Sequence, residues 1–374
     1  MIKKLLVLTL SIALLTTVSA QGVEFGQDAT GDPNAVRIIA TGSSAFLYSD
    51  RIVFTASHVI DVLGDNFVKE AYLFAPGVKS GPLQKKYLVQ KVLKAPTYKD
   101  RSEADMTRID DFAIIILRES MPMRNTVQVA SPTDIESFVR EKAVVELVGY
   151  GFQNAAMRND GQAWNNMSPH KMTSVLLSGD DLRKYHAAYP FFHQPNQTML
   201  DFGIPNNEKD GSVCDADSGA GFFVQKSNVR YYLGAVGGQQ AGITNCNAPF
   251  GRFAPNGGMS GVNPAYKHLA LIKEAEDFVA NEKKLEVAKQ EADAKAAAEL
   301  KAKQEADERA RTEAELKAKQ EAEAKAAAEL KAKQEADAKA AALKKTTITC
   351  VKGKLTKKVT AVKPKCPAGY KVKK

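Results

Sequence analysis

Over the first two thirds of the chain the apolar positions fall in short runs, and near residue 265 they switch to a helical period. Arg51-Ile-Val-Phe-Thr55, Phe112-Ala-Ile-Ile-Ile-Leu117, Ala143-Val-Val-Glu-Leu-Val148 and Tyr231-Tyr-Leu-Gly-Ala-Val236 are rich in β-branched and aromatic residues. Clusters of Gly, Asn, Asp and Pro separate them, as turns separate strands. Such spacing predicts an all-β sandwich or barrel over residues 23–268, a length that suits two barrels better than one. Asn263-Pro264 reads as a helix start, with the amide as cap and proline at the first helical position. Beyond it His268–Val279 spaces its apolar residues helically and runs on into Ala/Lys/Glu/Gln repeats that end near Leu343. Lys-Gln-Glu-Ala recurs at 289, 303, 319 and 333. These are strong helix formers, and Glu/Lys pairs one turn apart add support. Leu285, Leu300, Leu316, Leu330 and Leu343 are too sparse for an apolar seam in every heptad. Residues 269–345 therefore read as a semi-rigid helical spacer, with a coiled coil that makes an oligomer as the alternative.

Charge changes the picture at the C-terminal end. Residues 344–374 hold eleven lysines and no acid, more than the +9 of the whole chain, so the other residues are slightly acidic in sum. A basic tail on a near-neutral body argues against a nucleic-acid-binding core, which needs a basic face on the folded domain. At the other end, Met1-Ile-Lys-Lys precedes the apolar run Leu5–Leu15 and the small residues around Ala20. That order describes a secretory signal peptide over residues 1–22, too short to span a bilayer. Export permits disulfides. Of the three pairings that four cysteines allow, the one that joins neighbours, Cys214–Cys246 and Cys350–Cys366, is expected. The tail, residues 346–374, alternates Val, Thr and Lys between its two cysteines and reads as a disulfide-closed hairpin. Its lysines suit electrostatic attachment to an anionic cell-wall or membrane surface.

Three segments carry candidate chemistry. Thr55-Ala-Ser-His58-Val follows a strand, Asp111 directly precedes another, and Cys214-Asp-Ala-Asp217-Ser218-Gly219-Ala-Gly221 is a glycine-rich turn that holds a serine. Acyl transfer to water needs a hydroxyl, a histidine to take its proton and a buried carboxylate to fix the histidine's tautomer. A tight turn can aim backbone N–H groups at the developing oxyanion.

In the order His…Asp…Ser these segments resemble the trypsin/chymotrypsin family of serine proteases. Thr55-Ala-Ser-His58-Val is similar to its T-A-A-H-C, Asp111-Phe-Ala-Ile-Ile to its D-x-A-L-L, and Gly149-Tyr-Gly151 to its G-W-G. Cys214–Gly221 is similar to C-x-G-D-S-G-G-P, and Val23-Glu-Phe-Gly26-Gln-Asp-Ala29 looks like the mature start I-V-G-G-x-x-A. The resemblance implies two six-stranded antiparallel β-barrels with a triad between them. It implies a secreted, bacterial-type serine endopeptidase acting on peptides; no phosphate loop, metal-ligand cluster or cofactor motif stands out in the sequence, so no cofactor or metal is expected. Ser218 would be the nucleophile, His58 the general base and acid, and Asp111 the group that orients His58, with Asp110 as fallback. The backbone N–H groups of Ala216 and Ser218 would form the oxyanion hole. Asp217 would pair with a new amino terminus at Val23, and Cys246 would close the pocket disulfide with Cys214. Ser212, Gly237, Gln239 and Gly251 would shape the specificity pocket, whose uncharged floor at Ser212 argues against Lys/Arg cleavage.

The chain departs from the family pattern at Ala216, where the family has glycine, at Ala220 and Gly221, and at Val59, which replaces a cysteine. Ala216 has the N–H an oxyanion hole needs but a narrower choice of backbone conformation. It raises the alternative of a binding or adhesion protein built on the same fold.

Overall fold

The computed structural model describes residues 26–100, 108–152, 157, 167–181, 202–205, 211, 213–241 and 259–374. After the short strand β1 (Gln27–Asp28), six strands follow: β2 (Ala35–Ile38), β3 (Ser43–Leu47), β4 (Ile52–Thr55), β5 (Tyr72–Leu73), β6 (Tyr87–Lys94) and β7 (Ala113–Leu117). They close a barrel in the order β2-β3-β4-β7-β6-β5. Val36, Ile38, Ala45, Leu47, Val53 and Ile115 fill one core cluster. Their neighbours Ala35, Phe46, Ile52, Phe54, Ile114 and Ile116 belong to a second. Both faces of these strands are buried, so the sequence shows continuous apolar runs rather than a clean alternation.

The second lobe is built from β8 (Thr126–Val129), β9 (Val144–Gly149), β10 (His170–Val175), β11 (Leu177–Ser178), β12 (Phe202–Pro205), β13 (Gly221–Lys226), β14 (Val229–Ala241) and β15 (Met259–Pro264). Together with β1 they form a nine-stranded sheet. Its path is β1-β10-β9-β13-β14-β15-β12-β11, with β8 paired in parallel to β14. The second core cluster crosses the boundary between the lobes. Phe46, Phe54 and Phe112 from the first meet Tyr150, Phe152, Phe223 and Tyr232 from the second. Ring centroids of Phe46 and Tyr232 are 4.7 Å apart, and those of Phe54 and Tyr232 are 5.1 Å apart.

The expected helix start at Asn263-Pro264 is corrected by the structure. Both residues belong to β15, where Asn263 pairs with Ala235 and Pro264 with Gly234. A 3-10 turn, Ala265–His268, follows, and the α-helix runs from Leu269 to Ala342. Proline fixes φ near −65°, which serves the last residue of a strand, past the stretch that pairs with β12, as well as the first of a helix. In this helix Ile272, Ala275 and Val279 are buried in the inter-lobe cluster. Tyr48 donates to Glu276 at 2.9 Å and Lys283 reaches Asp50 at 2.8 Å. The first compact unit accordingly ends at Lys284, and the second is Leu285–Lys374.

The second unit holds the remaining helix and a three-stranded sheet of β16 (Thr346–Lys352), β17 (Leu355–Ala361) and β18 (Lys371–Val372). β16 and β17 form the expected hairpin, β18 adds to the free edge of β16, and a disulfide joins Cys350 to Cys366. Among the described residues no helix is long and apolar enough to cross a membrane.

Candidate active site

β4 ends at Thr55, and the short helix Ser57–Asp61 begins two residues later. The register Thr55↔Ala113 sets that end of β4 beside the start of β7, so His58 and Asp111 emerge together. Asp110 takes a left-handed turn conformation, φ 49°, as the chain enters β7. Ser57 Oγ donates to the Phe112 carbonyl at 2.8 Å and ties the helix to the same strand. The Asp111 carboxylate is fully buried and holds His58 twice. Oδ1 accepts the His58 backbone N–H at 2.9 Å, and Oδ2 lies 2.6 Å from His58 Nδ1. A proton on Nδ1 leaves Nε2 with its lone pair free to accept one from a hydroxyl. The pair forms with Asp111, so the fallback to Asp110 is not used.

The turn that carries Ser218 is anchored from both lobes. Gly219 N–H donates to the Val236 carbonyl and Ala220 N–H to the Asp217 carbonyl, each at 2.8 Å. From the first barrel, Ser44 N–H donates to the Ser218 carbonyl at 3.1 Å. Ser44 Oγ donates to the Ala216 carbonyl at 2.9 Å and accepts the Tyr150 N–H at 2.8 Å. Gly219, φ 84°, packs so tightly that a Cβ there would strike Thr55 Oγ1 and the Ser44 carbonyl and come within 3.2 Å of Ala56 N. That contact seats the serine turn against the residues that lead into His58. With their carbonyls turned toward Ser44, the N–H groups of Ala216 and Ser218 donate to no acceptor among the described residues. Ala216 sits at φ 73°. A left-handed backbone costs an alanine about 1 kcal/mol, which the two bonds from Ser44 offset.

Asp217 is fully buried beneath this turn. Its Oδ1 accepts Gly151 N–H at 2.7 Å and its Oδ2 accepts Cys214 N–H at 2.9 Å. A Cβ on either Gly149 or Gly151 would fall inside the carboxylate, so the Gly-Tyr-Gly segment is the cradle that admits it. Among the described residues no cation pairs with Asp217. Burial pushes its carboxyl up to about 7, against the pull of the two N–H donors.

Cys214 is disulfide-bonded, and with Cys350 joined to Cys366 the remaining cysteine is Cys246. Cys246, Val23, Ser212 and Gly251 lie outside the described residues. Gln239 belongs to β14, paired with Ser260. Gly237 is described: its carbonyl accepts from Arg108 Nη1 at 3.1 Å, and its Cα borders the Asp111 carboxylate. Among the described residues, no three of His, Cys, Asp and Glu gather where they could hold a metal ion.

Ser44, which no motif marks, is the residue that sequence reasoning passed over. A serine in a strand carries no signal of its own, and its role depends on a turn some 170 residues away.

No curated protein matches the sequence. The family model described as Trypsin, however, matches residues 26–255, more than half of the chain and the whole stretch from His58 through Asp111 to Ser218, and on that match the chain belongs to the trypsin family of serine proteases.

Proposed function

We propose that the chain is a serine endopeptidase in which Ser218, His58 and Asp111 form the triad. The observation that carries this reading is the 2.6 Å contact between His58 Nδ1 and a fully buried Asp111 carboxylate. Ser218 Oγ attacks the carbonyl carbon of the peptide bond while His58 Nε2 takes its proton. Asp111 stabilises the imidazolium without itself being protonated. Negative charge moves to the carbonyl oxygen, where the free N–H groups of Ala216 and Ser218 receive it. Collapse of this intermediate returns the proton from His58 to the departing amine and leaves an acyl-Ser218 ester. Water, deprotonated by His58, then attacks the ester and releases the acid.

Asp217 supports a reading of activation. A carboxylate in this cradle gains most from a cation, and the α-amino group freed by cleavage before Val23 would supply one. Secretion with removal of residues 1–22 would then both export and activate the enzyme. Amino-terminal sequencing of active secreted protein tests it: a start at Gln21 would sink the idea. The uncharged Ser212 favours an uncharged side chain before the scissile bond. The Lys-rich tail reads as the part that attaches the enzyme to an anionic surface. High salt should release it from that surface, because exposed charge contacts are screened.

The deciding experiment is active-site labelling of the purified protein with a fluorophosphonate, beside Ser218→Ala. Label on the parent and none on Ser218→Ala is the expected result. A folded parent starting at Val23 that takes no label would overturn the proposal.

A further inference from the structure

Asp111 is fully buried, yet among the described residues the hydrogen bonds to its carboxylate come from His58 alone. An ionised carboxyl offers about four acceptor sites, and in a buried site each one left empty is expensive. The neighbour across the remaining face is Asn263. Its backbone pairs with Ala235 on β14. Residues two apart on a strand share a face, so the Asn263 side chain lies on the same face as Ala235 and Gly237. It is buried, and its Nδ2 occupies the space where a Cβ of Gly237 would stand, while Asp111 Oδ2 is 3.2 Å from that same point. The nitrogen, not the oxygen, is the amide atom that touches this space, the orientation a carboxylate favours.

We infer that Asn263 is a positioning residue for the triad, its amide standing in the gap left by Gly237 and turning to donate to the Asp111 carboxylate. This rests on the reading of His58 and Asp111 as the base and its orienting acid. Gly237 and Asn263 act as one unit: the missing side chain on β14 is what gives room to the amide from β15. The donor shares the negative charge of Oδ2, so less of it falls on His58, and it holds the carboxylate still while the ring gains and loses its proton. Among the described residues, Tyr98, whose hydroxyl feels the Asp111 charge, and Arg108, which is committed to Asp100 and the Gly237 carbonyl, also lie nearby. Neither changes in the test that follows.

The test is the pH midpoint at which the His58 ring titrates, read by NMR in full-length protein carrying Ser218→Ala, so that it needs no turnover. Asn263→Leu keeps the volume and removes the donor. Asp111 charge then falls more fully on His58, and the midpoint should rise by about half a unit or more. With Ser218 intact, fluorophosphonate labelling should slow about tenfold. In Gly237→Ser/Asn263→Ala a hydroxyl replaces the amide from the β14 side, at a Cβ 3.2 Å from Oδ2, and both values should return toward those of the parent. A midpoint in Asn263→Leu equal to the parent's would overturn the inference. So would a double variant that titrates no closer to the parent than Asn263→Leu does, and this comparison decides if the leucine variant folds poorly. A parent that takes no label fails the protease reading instead, which the titration separates from failure of the positioning role.

Discussion

Along the helix Leu269–Ala342, Ile272, Ala275 and Val279 are buried against the β lobes, whereas every residue from Lys284 to Leu343 is exposed. The two stretches use the same helix-forming residues but are stable for different reasons. The first is held by apolar burial and by contacts such as Tyr48–Glu276 and Gln90–Glu282. The second has only propensity and pairs within its own turns, such as Lys301–Glu305 at 4.0 Å. The same contrast separates the active-site cradle from the tail module. In the cradle the Gly151 N–H and the Ser44 hydroxyl reach the turn from far along the chain, beside the local bond from Cys214 N–H. In the tail a short hairpin is closed by its own disulfide.

The largest expected effect lies at the most dependent group, Asp217. Its folded-state pKa, raised to about 7, is above the unfolded value of 3.8. The native state therefore binds more protons between those two values, and stability falls as pH rises through them, by on the order of 4 kcal/mol. Urea unfolding of protein with a blocked amino terminus should show this fall between about pH 4 and 7, and protein starting at Val23 should not. Equal slopes would separate Asp217 from the amino terminus.

Gly151→Ala drives a methyl into the Asp217 carboxylate and should cost about 3 kcal/mol together with most fluorophosphonate labelling. Ile272→Ala, which empties part of the inter-lobe core, should cost about 2–3 kcal/mol in the unfolding of the β lobes. Leu316→Ala is the control that sharpens the contrast. With Leu316 57% exposed, it should change stability by less than about 0.5 kcal/mol. A loss comparable to Ile272→Ala would mean that a partner covers this part of the helix.

Elements held by local rules were legible in the sequence. The buried strands, the long helix, the tail hairpin and the Cys350–Cys366 pairing all follow from runs, periods and spacing within a few residues. The His58–Asp111 pair was legible because each residue sits at the end of a readable strand. Asn263-Pro264 was misread because Asn before Pro signals a cap only if nothing else recruits the asparagine. Here pairing with β14 places it in a strand, and that depends on residues 234–239 rather than on its neighbours. Ser44 and the reason for Gly149 and Gly151 were illegible for a similar cause: each answers to an atom that comes near only after both lobes have folded.

The hydroxyl of Ser44 has a mechanical consequence. It belongs to the first barrel, while the Ala216 carbonyl and the Tyr150 N–H it joins belong to the second lobe. Sliding one lobe past the other by a single ångström would stretch both bonds at once and free the backbone at Ala216 to leave its left-handed state. The separation of the lobes and the shape of the serine turn are therefore one coordinate. A change in lobe separation would thus reach the serine turn through Ser44 without touching His58 or Asp111.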